Sequence, residues 1–208
     1  MRMLVAVCLC LLNACCVSIP NQYERTQPAT LLLERAGVSC SGVATGPHSV
    51  ATASHCTEAF GLSGSLNING KASEYSVVAD DGNDHVILRV SQRQRHTAHL
   101  RIRTLHAGDT LYLWGNPAEL ESVLRVGRVA GFDPKSRLCL DNLKKAVCSV
   151  IYFDGSITHG DSGGGYFNAV GELVAIESGG YTVSQYAFSI PFFYPITFTP
   201  AQLALARQ

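Results

Sequence analysis

The sequence predicts an all-β protein. From Val38 onward, short runs rich in β-branched and aromatic residues alternate with glycine, asparagine, aspartate and serine, as in 65–68, 75–78 and 85–90. Regularly spaced strands with turn signals between them are typical of β-sandwiches and barrels. The only stretch with useful helical periodicity is 200–208.

The composition supports a packed core and argues against several classes of function. Of the 208 residues, 47% are hydrophobic and only 15% are charged, with a formal net charge of zero. This length suits one compact domain, or two small barrels that share a cleft. We see no basic patch that would indicate nucleic-acid binding and no acidic tail typical of a chaperone-like surface.

The first sixteen residues predict an export signal, and 17–36 predict a linker. Arg2 precedes an apolar run over 4–12 that is too short to span a bilayer. The end of the run resembles a bacterial lipoprotein signal, which implies lipidation of Cys15; the alternative is an ordinary secretory signal cut near Ala14 or Ser18. Both readings predict an exported protein that is periplasmic, at the cell surface or secreted. The only membrane contact expected is through a lipid attached to Cys15.

The run His-Gly-Asp-Ser-Gly-Gly-Gly at 159–165 is the strongest functional signal. Gly160 permits a tight turn before the serine, so that its own N–H and that of Ser162 can point into one hole. Such a hole stabilises the oxyanion that forms when a hydroxyl adds to a carbonyl. A serine hydroxyl becomes an effective nucleophile when a neighbouring base accepts its proton.

Candidate partners for the serine lie upstream. His55 follows a run of small residues, and Asp84 precedes an apolar strand. We interpret Asp80 and Asp81 as solvated turn residues. The chain order His55, Asp84, Ser162 belongs to one of three unrelated triad lineages and excludes the orders of α/β-hydrolases and subtilisins.

Three blocks, Thr-Ala-Ser-His-Cys at 52–56, Asp-His-Val-Ile-Leu at 84–88 and Gly-Asp-Ser-Gly-Gly at 160–164, resemble the signature blocks of chymotrypsin-like (trypsin-like) serine proteases of the bacterial type. Residues 108–117 look like the strand that opens the second barrel in bacterial members. The resemblance implies two six-stranded antiparallel β-barrels with the active site in the cleft between them. It places them at 37–100 and 106–200, within a protease domain over 37–200, followed by a tail over 201–208.

The resemblance also implies roles for the site residues. Ser162 would attack the substrate carbonyl, His55 would carry the proton, and Asp84 would orient His55. The N–H groups of Gly160 and Ser162 would hold the oxyanion. His159 would line the substrate cleft, because a neighbour on the same tight loop seldom reaches the hydroxyl at a useful angle.

The sequence indicates the substrate-binding residues less clearly than the catalytic ones. By resemblance, Ser156 would form the floor of the S1 pocket, and Gly179 and Gly180 would leave its wall open. Ser178 would contact Asp84. Glu177 could enter the pocket and favour a basic side chain, but we expect it to point to solvent, since one register shift reverses the faces of a strand. A neutral pocket for medium-sized apolar or polar residues is therefore expected.

Asp161 is not expected to be catalytic. In activated zymogens of the family, the matching aspartate binds a newly formed amino terminus. No Ile-Val-Gly-Gly-type start occurs near Val38. We therefore expect Asp161 to cap local backbone N–H groups, without proteolytic activation.

Four of the eight cysteines lie outside the signal region. The resemblance implies a Cys40–Cys56 disulfide, whose members are sixteen residues apart, and the natural pairing of the remaining two is Cys139–Cys148. A zinc site is the alternative, but no Cys-x-x-Cys or histidine cluster supports it. No metal or organic cofactor is expected.

The sequence thus predicts an exported serine endopeptidase that acts on proteins or peptides through an acyl-enzyme. Two other classes stay open. One is a catalytically inactive trypsin-like fold that serves as a protein-binding module at the cell surface. The other is a purely structural surface lipoprotein, which would not need the glycine-flanked serine.

Overall fold

The computed structural model describes residues 26–134, 149–183 and 188–208, and most of them lie in strands. Two single-turn 3-10 helices cover Gln27–Ala29 and Pro117–Glu119. The other elements, in chain order, are β1 (Thr30–Arg35), β2 (Val38–Gly46), β3 (Ser49–Ala53), α1 (Ser54–Phe60), β4 (Ser63–Ile68), β5 (Lys71–Asp80), β6 (His85–Val90), β7 (Thr110–Gly115), β8 (Val123–Asp133), β9 (Val150–Phe153), β10 (Gly165–Phe167), β11 (Leu173–Ile176), β12 (Gly179–Val183), β13 (Phe188–Phe193) and α2 (Pro200–Leu205).

The first six strands form a closed antiparallel barrel in the order β1-β2-β3-β6-β5-β4. Pairing of β1 with β4, with Leu33 opposite Ile68, closes it. The prediction that 17–36 is a linker is therefore wrong for Thr30–Arg35. The apolar side chains of Leu31, Leu32 and Leu33 are buried, and this burial favours a strand in the barrel over an exposed tether.

The remaining strands form a seven-stranded antiparallel sheet in the order β11-β10-β7-β8-β9-β13-β12. Its core includes Leu113, Phe153, Tyr166 and Phe193. The all-β prediction is confirmed, although this second unit has seven strands in the described residues instead of the six expected.

The C-terminal segment returns to the first barrel. Helix α2 begins with a capping box between Thr199 and Gln202, and the Gln202 amide donates a 2.8 Å hydrogen bond to the carbonyl of Asp80. The backbone N–H of His48 in turn donates to the carbonyl of Gln208. The predicted tail at 201–208 is thus partly helical and packed against the barrel.

The disulfide between Cys40 and Cys56 is formed and joins β2 to α1. Cys139, Cys148, Cys15 and the predicted export signal lie outside the described residues. Neither α1 nor α2, the α-helices of the described ranges, has the length and apolar character needed to cross a bilayer.

Candidate active site

Strand register brings His55 and Asp84 together. Strands β3 and β6 pair as far as Ala53 opposite His85, and one further ladder bond runs from the N–H of Ser54 to the carbonyl of Asp84. The side chains of His55 and Asp84 therefore come into contact at this end of the two strands. The Asp84 carboxylate accepts from the His55 backbone N–H at 2.9 Å and from its Nδ1 at 3.0 Å.

This geometry defines the proton positions on the imidazole. Because a carboxylate only accepts hydrogen bonds, Nδ1 of His55 carries the proton and Nε2 is left as the basic atom. Burial lowers the pKa of His55, but the hydrogen bond and charge of Asp84, together with the charge of Glu58, outweigh burial and raise it above its ordinary value. Asp84 is completely buried, whereas the His55 side chain is 31% exposed.

Asp84 has a left-handed backbone with φ of 69°, a conformation that non-glycine residues seldom adopt. The carboxylate of Asp81 accepts hydrogen bonds from the backbone N–H groups of Asn83 and His85, the two neighbours of Asp84. It also accepts 2.8 Å bonds from Nδ1 of His85 and from the N–H of Thr197. These bonds hold the loop from both sides of Asp84.

The interpretation of Asp81 as a solvated residue is therefore wrong, while Asp80 is exposed as expected. The side chains of Asp81 and His85 are both fully buried. Burial raises the pKa of Asp81, but the hydrogen bond and charge of His85 and the N–H donors outweigh burial and lower it. No local pattern in the sequence indicates this pair, because a turn rich in aspartate usually faces water.

Ser162 lies in the loop between β9 and β10. Its carbonyl accepts a 2.7 Å hydrogen bond from the N–H of Ser41 on β2 and lies 3.9 Å from the sulfur of Cys56, the neighbour of His55. Ser162 and His55 line the same cleft. Among the described residues, the Ser162 hydroxyl makes no hydrogen bond, and thus none to His55.

The carbonyls around the serine are held away from the cleft. The carbonyl of His159 accepts from the N–H of Ala118 at 2.7 Å, and that of Gly160 accepts from the hydroxyl of Ser41 at 2.7 Å. In a trans peptide the N–H points opposite to the preceding carbonyl, so the N–H of Gly160 points away from Ala118. Neither this N–H nor that of Ser162 donates to another described residue, which leaves both donors free.

Two glycines make this loop sterically feasible. Gly160 has φ of 95° and Gly163 has φ of 83°. A Cβ at Gly160 would collide with the carbonyl oxygen of Asn116, and one at Gly163 would collide with the Ser41 carbonyl and the Thr52 hydroxyl. The close approach of the loop to the barrel and to the end of β7 therefore requires glycine at these positions.

Asp161 is fully buried behind the nucleophile loop. As expected, its carboxylate caps a backbone N–H, that of Thr158, at 2.8 Å. It also forms an ion pair with the guanidinium of Arg125 on β8, which the sequence analysis missed. Burial raises the pKa of Asp161, and the Thr158 N–H and Arg125 only partly oppose this effect.

The cleft has a volume of about 720 Å³. Of the predicted substrate-binding residues, His159, Gly179 and Gly180 line it, whereas Ser156 does not and is exposed. Its lining comprises Gly37, Val38, Ser39, Cys40, His55, Cys56, Ile157, Thr158, His159, Gly160, Ser162, Gly179, Gly180 and Ser189.

Glu177 neither lines the cleft nor points to solvent, so the expectation of an outward orientation is wrong. Its side chain is fully buried and accepts a hydrogen bond from the hydroxyl of Tyr166. Burial raises the pKa of Glu177 well above its ordinary value, although the Tyr166 hydrogen bond opposes the shift. Its main chain brackets the loop, accepting from Gly163 and donating to Gly164 at 2.8 Å each.

Ser178 makes no hydrogen bond to Asp84. The Ser178 hydroxyl is buried and has no hydrogen-bond partner among the described residues. The described ranges also contain no group of three or more side chains able to hold a metal ion.

Comparison with known proteins identifies the family. Residues 40–176 match the trypsin-like peptidase domain, so this chain belongs to the trypsin-like peptidase family. It is 31% identical over 102 residues to serine endoprotease DegS of Salmonella typhimurium and 31% identical over 132 residues to that of Haemophilus influenzae. These matches cover 43% and 62% of this chain but only 26% and 38% of the two relatives.

Solved structures agree on the fold. An inactive form of Rv3671c from M. tuberculosis superposes with a TM-score of 0.73 at 17% identity, over 92% of this chain and 93% of that one. The serine endoprotease from Yersinia pestis superposes with a TM-score of 0.65 at 23% identity, over 86% of this chain and 62% of that one.

Proposed function

We propose that this chain is a serine endopeptidase that hydrolyses peptide bonds through an acyl-enzyme. Ser162 attacks the carbonyl carbon, and Nε2 of His55 takes the hydroxyl proton and later gives it to the leaving amine. Asp84 holds His55 in the required tautomer and stabilises the imidazolium. The observation that carries this proposal is the buried carboxylate of Asp84 bonded to both the N–H and Nδ1 of His55.

The oxyanion would be held by the N–H groups of Gly160 and Ser162. Neither donates to an acceptor within the described ranges, and the carbonyls of His159 and Gly160 are bonded elsewhere, which supports a preformed oxyanion site. Preorganised donors of this kind contribute about 3–4 kcal/mol each to transition-state stabilisation. The hydrogen bond between Ser162 and His55 is expected to form when substrate enters, since such bonds are often long in free enzymes.

We expect the pocket for the side chain before the scissile bond to be neutral and narrowed by the side chains around Gly180. A Cβ at Gly180 would lie 2.6 Å from the hydroxyl of Ser189 and 3.1 Å from Cδ1 of Ile157, so the two side chains flank this glycine. Among the residues that the structure describes, no carboxylate lines the cleft. We therefore expect small or medium-sized apolar or polar residues to be accepted and lysine and arginine to be disfavoured.

The protein is proposed to act after export, in the periplasm or at the cell surface. The N-terminal sequence supports export, and the DegS relatives are named serine endoproteases. Lipidation at Cys15 would retain the protease at a membrane. Its substrates would be proteins or peptides.

The experiment is cleavage of an unfolded protein substrate by the native chain and by Ser162→Ala. The native chain should cleave it, and the variant should lose activity by several orders of magnitude while its thermal unfolding is unchanged. Equal cleavage by the two proteins would exclude Ser162 as nucleophile. Tight substrate binding without cleavage by the native chain would support a binding module instead.

A further inference from the structure

The segment that connects the barrel to the second sheet is strongly basic. Residues 93–106 contain four arginines and three histidines and no aspartate or glutamate, in a chain with sixteen basic and sixteen acidic residues. We call its seven cationic or titratable side chains the basic strip: Arg93, Arg95, His96, His99, Arg101, Arg103 and His106. The expectation that the chain has no basic patch is therefore wrong.

The fold displays the whole strip to solvent. Gln94, Ala98 and Leu100 are buried and fix the segment to the body of the protein, and Leu100 also forms a parallel bridge with Leu173 of β11. All seven side chains of the basic strip are exposed. The apolar residues thus hold the backbone while the charged ones face outward.

Little of this charge is neutralised. Arg101 lies 3.7 Å from Glu172, and His106 lies 3.8 Å from Asp109, but both contacts are long and largely exposed. Exposed pairs of this type are weak. Within the described ranges, Arg93, Arg95 and Arg103 form no ion pair, so no described carboxylate competes with an external anion for them.

Exposed apolar surface adjoins the arginines. Ile102, between Arg101 and Arg103, is 44% exposed, and Phe132 is 47% exposed. Ile102, Arg103 and Phe132 line one groove of about 440 Å³, together with Tyr194 and other apolar residues. Cationic and apolar groups are therefore presented side by side.

We propose that the basic strip binds the surface of a membrane that contains anionic phospholipids. The arginines would contact headgroup phosphates, and Ile102 would enter the interfacial layer between them. Each arginine near an anionic surface strengthens binding about fivefold. We favour a membrane over a single-stranded nucleic acid because the exposed side chain between Arg101 and Arg103 is the aliphatic Ile102, on which bases cannot stack.

The location of the strip is compatible with catalysis at the membrane. None of its residues lines the catalytic cleft. The strip contacts β11 through Leu100 and Leu173, whereas Gly179 and Gly180 of the cleft lie on β12. Membrane binding would leave the cleft accessible and would orient the catalytic domain. This surface is independent of the proposed peptidase chemistry.

The test is co-sedimentation with vesicles of phosphatidylcholine alone or mixed with phosphatidylglycerol. The full chain carries Cys15→Ser so that no lipid can be attached there. We expect binding to the mixed vesicles only, weakening as salt is added. Arg93→Ser/Arg95→Ser/Arg103→Ser should reduce the partition coefficient on the order of a hundredfold, and Ile102→Ser should reduce it several-fold.

The matched control is Asn67→Asp/Lys71→Glu, which changes the net charge by the same three units at exposed positions of the β4–β5 hairpin. It should retain vesicle binding, and cleavage of a short peptide should be equal in all variants. Equal binding by the triple variant and the control would overturn the proposal, as would absence of binding. Stronger binding to a single-stranded oligonucleotide than to the vesicles would assign the strip to nucleic acid and also overturn it.

Discussion

Arg125 forms an ion pair with Asp161, the residue directly before Ser162, although the two lie 36 positions apart in the chain. The pair links strand β8 to the nucleophile loop from behind. We propose that Arg125 substitutes for the free amino terminus that binds the matching aspartate in activated zymogens of the family. We infer that the loop reaches its working conformation without proteolytic processing.

Replacement of Arg125 by methionine should therefore disturb the loop. Loss of one partner of a buried ion pair leaves an uncompensated charge and costs about 3–5 kcal/mol. The expected result is a lower Tm and a large fall in kcat, measured by thermal unfolding and peptide cleavage. The double variant Arg125→Met/Asp161→Asn should recover much of the stability, because the buried charge is gone.

The control for this change is Arg128→Met, an exposed arginine on the same strand. It should leave kcat and Tm nearly unchanged. Unaltered kcat in Arg125→Met would contradict the role assigned to the pair.

The Asp81–His85 pair is expected to position Asp84. Asp81→Ala removes the acceptor for the N–H groups on both sides of Asp84, so the left-handed residue should lose its fixed orientation. We predict that kcat falls by about tenfold or more, whereas KM changes little. Steady-state kinetics on a peptide substrate measure both constants.

Asp80→Ala provides the comparison, since Asp80 is the exposed neighbour of Asp81. Its kcat should stay close to that of the native chain. In the double variant Asp81→Ala/His85→Leu, the loss of stability should be smaller than the sum of the single losses, because neither buried partner is left alone. Additive losses would show that the two residues act independently.

Glu177 should make stability decrease as the pH rises. Its pKa is raised by burial, so the folded chain retains a proton that the unfolded chain releases above its ordinary pKa of about 4.3. The free energy of unfolding therefore falls with increasing pH from that value up to the folded pKa. Glu177→Gln keeps an acceptor for Tyr166 and should remove this slope.

Urea unfolding of both proteins across a pH series measures this effect. The two unfolding free energies should be similar at pH below about 4 and should diverge in favour of Glu177→Gln near neutrality. Parallel pH curves for the two proteins would contradict a protonated Glu177.

The pH dependence of kcat/KM should report His55. Its pKa is raised, and only the neutral imidazole can accept the Ser162 proton, so kcat/KM should rise with a midpoint above about 6.5. Glu58→Gln should lower the midpoint slightly, because Glu58 contributes to the raised pKa. Asp84→Asn should lower it further and reduce kcat by about 10⁴-fold. A midpoint that does not respond to Asp84→Asn would exclude His55 as the titrating group.

The sequence predicted the parts of the site that depend on local patterns. The small-residue run before His55, the apolar strand after Asp84 and the glycines around Ser162 each form a recognisable block, and the Cys40–Cys56 disulfide followed from the resemblance. The structure places His55 against Asp84 and brings Ser162 into the same cleft.

What the sequence could not predict depends on contacts between distant elements. Arg125 is one of several arginines, and nothing local marks it as the partner of Asp161. The orientation of Glu177 cannot be read from the sequence, because the face of a strand reverses with a shift of one residue. The burial of Asp81 depends on the C-terminal segment, which supplies the N–H of Thr197 and cannot be located from local pattern.

The most direct test of the account is labelling of the native chain with a fluorophosphonate, followed by mapping of the modified residue by mass spectrometry. We predict a single adduct on Ser162, whose formation is abolished in Ser162→Ala and strongly slowed in His55→Ala. An unlabelled native chain, or an adduct that persists in Ser162→Ala, would contradict the assignment of Ser162 as a nucleophile activated by His55.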